Sequence, residues 1–69
     1  MRLSARNQLP GTVLEVHEGA VTTTVKVKLD GGAVMTSSIT KEAVDELGIA
    51  VGASVTVVVK ASDVMLAVD

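Results

Sequence analysis

The sequence contains no cysteine, no phenylalanine, tyrosine or tryptophan, and only one proline and one histidine among its 69 residues. Without cysteine the chain has neither disulfides nor thiolate zinc sites. With His17 as its lone imidazole it also lacks the spacing of a histidine metal site: no second His and no H-x-x-H pattern accompanies it. A surface or interface position is therefore expected for His17, and no metal ligand is assigned. The absence of aromatics removes the stacking platforms on which single-stranded nucleic acids are held. A net charge of −2 supplies no general attraction to phosphate backbones or anionic lipid. No run approaches the roughly 20 apolar residues of a membrane span, and the N-terminus lacks the apolar core of a signal peptide. A cytoplasmic location is the resulting expectation.

What remains is mostly aliphatic. Hydrophobic residues make up 48% of the chain, all of it Val, Ala, Leu, Ile and Met. Valine suits strands better than helices. A single domain of this length buries only about 60% of its unfolded surface. Such small domains are usually reinforced by a disulfide, a metal or oligomerisation. The first two are missing, so part of the valine is expected in subunit interfaces.

The pattern along the chain supports this β reading. Pro10-Gly11 is the first strong punctuation. Residues 12–18, TVLEVHE, then alternate as a strand, with Thr12, Leu14 and Val16 on one face and Val13, Glu15 and His17 on the other. Residues 21–29, VTTTVKVKL, alternate almost without fault, Val21, Thr23, Val25, Val27 and Leu29 against Thr22, Thr24, Lys26 and Lys28. Asp30-Gly31-Gly32 signals a hairpin into a third strand over 33–39. Helical spacing follows, with Thr40 as N-cap, Ile39 and Val44 as a hydrophobic staple, an apolar stripe of Ala43, Val44 and Leu47, and Gly48 as the stop. A fourth strand is expected over 54–60, with Val57-Val58-Val59 buried on both faces. A fifth is expected over 64–68. Three strands, a short helix and two strands correspond to an all-β, small five-stranded OB-like barrel with one short helix between strands 3 and 4.

Three local features suit an oxyanion. Ser4, Arg6 and Asn7 present a hydroxyl, a forked guanidinium and an amide within four residues. Thr40 heads a helix, where unpaired N–H groups point outward. Lys60 stands beside the turn amides of Ala61 and Ser62. Each also has a plain structural account, as a solvated terminus, an N-cap and a strand-ending charge. Lys26 and Lys28 read as a solvated face. No cysteine nucleophile or Ser-His-Asp arrangement suggests catalysis.

In combination, SARNQLPGTV (4–13), SSITKEAVDELGI (37–49) and VKASDVMLAV (59–68) resemble the Mop family, the molbindins, over nearly the whole chain. Related domains occur in molybdate-responsive regulators and as the TOBE domain of molybdate-importer ATPases. The resemblance implies a single domain, 1–69, that pairs into dimers and assembles into a homohexamer, a trimer of dimers. It implies molybdate, and often tungstate, bound at subunit interfaces, with no metal other than that within the oxyanion. Carried over to this chain, the main site would use Ser4, Ala5, Arg6, Lys60 and Ala61, with Thr40 from a neighbouring subunit. A second type of site, on the threefold axis, would use Gly19, Ala20, Val21 and Thr22. The 69 residues contain no DNA-binding region and no P-loop, so the implied role is intracellular storage and homeostasis, without enzymatic activity. The alternative is an oligomeric OB-like interaction module in which the anion is only structural. A nucleic-acid-binding OB domain fits least.

Overall fold

A computed structural model describes all residues, Met1–Asp69. Four strands, β1 (Asn7–Glu18), β2 (Thr22–Leu29), β3 (Val34–Thr40) and β4 (Ser54–Val59), form one antiparallel sheet in the order β3-β2-β1-β4. A single helix, α1 (Lys41–Leu47), follows β3, and a 3₁₀ turn, Ala61–Asp63, follows β4. The sheet curls into a half-barrel whose inner face carries the core: Val13, Val25, Val27 and Val44 are buried, with Ile39, Ile49, Val55 and Val57 packed against them.

β1 is the organising element. It starts five residues earlier than the Pro10-Gly11 punctuation suggests. In a strand, a residue's N–H and C=O point to the same side. At Pro10 that side faces β2, where the carbonyl accepts from the Asp30 N–H at 3.2 Å. The β2 ladder begins only at Gly11, opposite Leu29, so the missing proline N–H leaves no ladder bond unmade. Towards β4 the pairing runs unbroken from Asn7–Val59 to Thr12–Ser54. β1 thus serves β4 with its first half and β2 with its second. A bulge between Val13 and Glu15 takes up the bend. The extra residue resets the alternation expected for this strand: Val13 is buried, Leu14 is exposed and Val16 returns to the inner face. Gly11 sits where the two ladders overlap, and a Cβ there would lie 2.7 Å from both the Lys28 carbonyl oxygen and Val27 Cγ1.

The alternation of β2 is as expected from Thr23 to Leu29. Thr23, Val25 and Val27 are buried, while Val21 precedes the strand and is exposed. The β2–β3 hairpin closes with Gly32 at φ 102° and its N–H donating to the Leu29 carbonyl at 2.8 Å. The helix begins and ends as its sequence suggests. The Thr40 hydroxyl accepts from the Ala43 N–H at 3.1 Å. Gly48, at φ 65°, and Ile49 donate to the carbonyls of Asp45 and Val44 at 3.3 and 3.0 Å, a Schellman closure. Of the expected apolar stripe, Val44 is buried and Ala43 half-buried, but Leu47 is 70% exposed.

Two expectations about the C-terminal third are corrected. β4 is an edge strand with an open outer face, so Val57 and Val59 turn inward while Val58 is 43% exposed; the triplet is not buried on both faces. Residues 64–68 form no fifth strand, and the barrel is therefore open. After the 3₁₀ turn, Met65, Leu66 and Val68 are 92%, 93% and 96% exposed, and residues 65–69 make no backbone hydrogen bond. A strand exists only beside a partner edge, and within this chain the segment lies beside none.

The close approach at Gly11 yields a direct expectation. Gly11→Ala forces the β1 and β2 backbones apart at the bend, which should destabilise the fold by about 1–3 kcal/mol. Urea unfolding followed by circular dichroism measures the change.

Candidate oxyanion site

The β1–β4 ladder decides which of the expected ligands can meet. Its terminal pair is Asn7–Val59. One residue beyond it, on the two strands respectively, lie Arg6 and Lys60. The Ser4–Arg6 segment and the Lys60–Ala61 turn therefore flank the same end of the ladder, although 54 positions separate Arg6 from Lys60 in the chain.

Side chains hold this end together. Asn7 Nδ2 donates to the Val59 carbonyl at 3.2 Å, which ties the start of β1 to the end of β4. Gln8 Nε2 donates to the Ala5 carbonyl at 3.2 Å, which folds the N-terminal segment back over β1. Asn7 therefore braces the end of the ladder. Gln8 has the same bracing role. Sequence reading did not single it out, because a glutamine two residues from an arginine carries no signal of its own until the turn that brings Ala5 within reach is known.

The donors at this end are unspent. The amides of Ser4, Ala5, Arg6, Ala61 and Ser62 donate to no acceptor within the chain. The 3₁₀ turn puts Lys60 at its N-cap position with no side-chain cap, so its first N–H groups point outward. Arg6 and Lys60 are exposed and neither is in an ion pair; the two ion pairs of the chain join Glu15 to His17, at 3.6 Å, and to Lys26, at 3.9 Å. His17 belongs to this outer-face cluster, and no group of three or more His, Asp or Glu side chains able to hold a metal ion is present.

Thr40 lies elsewhere. It ends β3 opposite Thr22, and the Lys41 N–H donates to the Val21 carbonyl at 3.4 Å. This places Thr40 next to the Gly19–Thr22 connection, beyond the Glu18 end of β1, whereas Arg6 lies beyond the Asn7 end. One chain thus brings Ser4, Ala5, Arg6, Lys60 and Ala61 to one end of its longest strand, and Thr40, Gly19, Ala20, Val21 and Thr22 to the other. The Gly19–Thr22 connection is itself tight: the Gly19 N–H donates to the Thr22 carbonyl at 2.8 Å, and a Cβ on Gly19 would come within 2.6 Å of that oxygen. The Thr40 hydroxyl accepts from Ala43, which leaves its own proton available to an external acceptor.

Two unspent cations, five free amides and a hydroxyl at one edge form a donor-rich surface. Such a surface can bind an anion.

Comparison with known proteins agrees with this chemistry. Residues 3–66 match the TOBE domain family. The chain is 47% identical over 66 residues to molybdenum-pterin-binding protein 2 of Clostridium pasteurianum, covering 96% of this chain and 97% of that one. It is 54% identical over 67 residues to the molybdenum transport protein ModE of Herbaspirillum seropedicae, of which it spans only 25%. Among solved structures, the cytoplasmic molybdate-binding protein ModG, with molybdate bound, superposes with a TM-score of 0.91 at 54% identity, over 94% of this chain and 46% of that one.

The capping role of Thr40 can be separated from any ligand role. Without ligand, Thr40→Ala should cost about 1 kcal/mol of stability, because the Ala43 N–H loses its acceptor, while Thr40→Ser should cost a few tenths at most. Thermal unfolding of the three proteins side by side provides the comparison.

Proposed function

The chain belongs to the TOBE domain family, among the molbindin-like Mop proteins, and we propose that it binds molybdate, with tungstate as an alternative cargo, at sites that two or more copies complete. The relatives on which the family assignment rests are binding proteins and not enzymes. The observation that carries the reading is the convergence of Ser4, Ala5 and Arg6 with Lys60 and Ala61 at one end of the β1–β4 ladder, with their donors unspent.

A tetrahedral dianion accepts hydrogen bonds on four oxygens. Arg6 supplies a planar fork of donors and Lys60 a compact charge. The amides of Ala5 and Ala61 and the hydroxyl of Ser4 supply directed bonds without further charge. Capture exchanges the hydration shell of the anion for these charge-assisted bonds and is reversible, because no covalent bond changes. Thr40 lies at the far end of β1 and would reach this site from a second chain. The Gly19–Thr22 connection would form the second type of site, on a threefold axis, where three copies of a short backbone loop meet. Both features support a homohexamer, a trimer of dimers, and a role in cytoplasmic molybdate storage and homeostasis.

The reading makes a prediction about charge. Each charge-assisted bond contributes roughly 1.5–3 kcal/mol. Arg6→Ala and Lys60→Ala should therefore each weaken molybdate binding by about ten- to a hundredfold. Lys26→Ala and Lys28→Ala remove the same charge from the outer face of β2 and should change affinity little, apart from a small salt-dependent effect. Calorimetric titration at two salt concentrations distinguishes the cases, with circular dichroism to verify folding. Equal weakening in all four variants would mean diffuse attraction in place of a site.

A further inference from the structure

His17 is the lone imidazole of the chain, and the Arg6–Lys60 edge makes no use of it. It stands on β1 opposite Thr24 of β2. Cross-strand partners share a face, and so do residues two apart on a strand. His17, Thr24 and Thr22 therefore lie together on the outer face, with Thr23 and Val25 buried on the inner one. Diagonal neighbours such as His17 and Thr22 are roughly 7–8 Å apart at Cα, within reach of a ring. Thr22 closes the Gly19–Thr22 connection and pairs with Thr40. The imidazole thus borders that connection on the face where Thr40 stands.

We propose that His17 is a charge-supplying residue of the Gly19–Thr22 site: as the imidazolium it holds an oxyanion there, and as the neutral imidazole it releases it. This deepens the reading of the connection as a second oxyanion site and rests on it.

The connection needs such a charge. The N–H groups of Ala20 and Val21 donate to no acceptor within the chain, but the Gly19 N–H is spent on the Thr22 carbonyl. None of the four side chains from Gly19 to Thr22 is ionisable. Glu18 precedes them and opposes an anion, although its pairing with Thr23 turns it to the face away from His17. Lys41, whose backbone N–H donates to the Val21 carbonyl at 3.4 Å, is the permanent cation at this end. His17 is the group that adds a second charge, and adds it only when protonated.

The imidazole is free to act. Its side chain is 63% exposed, and Nε2 lies 3.6 Å from Glu15 Oε1, longer than a hydrogen bond. Glu15 is shared with Lys26, at 3.9 Å. Nδ1 has no hydrogen-bond partner. On β3, the residue in the same row is Ser38, opposite Thr24. On the other side of β1, pairing with β4 stops at Thr12. No further ionisable group therefore flanks His17 along the sheet. In the imidazolium both ring nitrogens donate, so Nδ1–H is available to an external acceptor.

The two sites then differ in their response to pH. Guanidinium and ammonium groups keep their charge across the range in which imidazole titrates, so the Arg6–Lys60 site holds its affinity while the Gly19–Thr22 site loses occupancy as pH rises. The coupling is reciprocal: an oxyanion favoured by the imidazolium must favour the imidazolium in turn.

A single histidine gives a single imidazole resonance, so nuclear magnetic resonance reads the coupling directly. The His17 ring is titrated between about pH 6 and 8.5, with saturating molybdate and with chloride at equal ionic strength. Calorimetry on the same samples records molybdate bound. Molybdate should raise the titration midpoint by about half a pH unit or more, equivalent to roughly threefold tighter binding to the protonated form. The rise should persist in Arg6→Ala. In calorimetry, His17→Gln should remove the pH-dependent part of binding, and His17→Lys should hold it at its low-pH level throughout. An unchanged midpoint with molybdate bound would overturn the proposal and leave the Arg6–Lys60 reading standing. Loss of the rise in Arg6→Ala, or pH dependence that survives in His17→Gln, would likewise overturn it. Absence of molybdate binding at every pH would overturn the proposed function and this inference together.

Discussion

Most of this structure depends on one strand pairing on both sides without being continuous on either. β1 joins β4 through Asn7–Thr12 and β2 through Gly11–Glu18. The overlap at Gly11 and Thr12 is short, and the bulge at Leu14 turns the strand between its two partners. Only glycine lets the β2 backbone approach at that point. A straight strand would give a flat sheet with one solvated face. The bent one gives a concave surface on which three valines of the sheet, Val44 of α1 and a ring of partly buried aliphatics make a core without any aromatic side chain.

The same bend distributes the polar chemistry. Each end of β1 delivers a different donor set: the basic, amide-rich edge of Ser4–Arg6 and Lys60–Ala61 at one, and Thr40 with the Gly19–Thr22 connection at the other. Because a 12-residue strand holds the sets apart, the proposed site, which draws on both, would need separate chains to supply them. The core is correspondingly incomplete. With the barrel open between β3 and β4, folding leaves apolar surface that further chains can cover, and in the proposed function the anion and the aliphatic surface would favour the same event, assembly. An anion bound by the proposed assembly alone would stabilise it by mass action, which would link occupancy to assembly without any moving part.

The sequence made much of this legible. β2 is read correctly because it is flanked by strands on both sides and packed on one face, so its alternation survives intact. The hairpin at Asp30–Gly32 and both ends of α1 are set by local hydrogen bonds and positive φ, which short stretches of residues encode. The continuity of β1 through Pro10 was hidden, because whether a missing N–H matters depends on which neighbour lies on that side. The bulge was hidden as well, since T-V-L-E-V reads as uninterrupted alternation. Residues 64–68 have strand composition without a strand partner in their own chain, and composition alone does not say where a partner comes from. At the oxyanion edge, each of Ser4–Arg6, Thr40 and Lys60 has an ordinary structural explanation taken singly. Their grouping came from family resemblance, and the ladder register then supplies a physical reason why residues 6 and 60 are neighbours and residue 40 is not.

The central claim, that oxyanion capture requires more than one chain, is tested most directly by native mass spectrometry of the protein with and without molybdate across a dilution series. The account predicts molybdate mass on assembled species only, none on single chains, and persistence of the assembly to lower protein concentration when the anion is present. Stoichiometric molybdate on the single chain, or an assembly that never retains the anion, would contradict it.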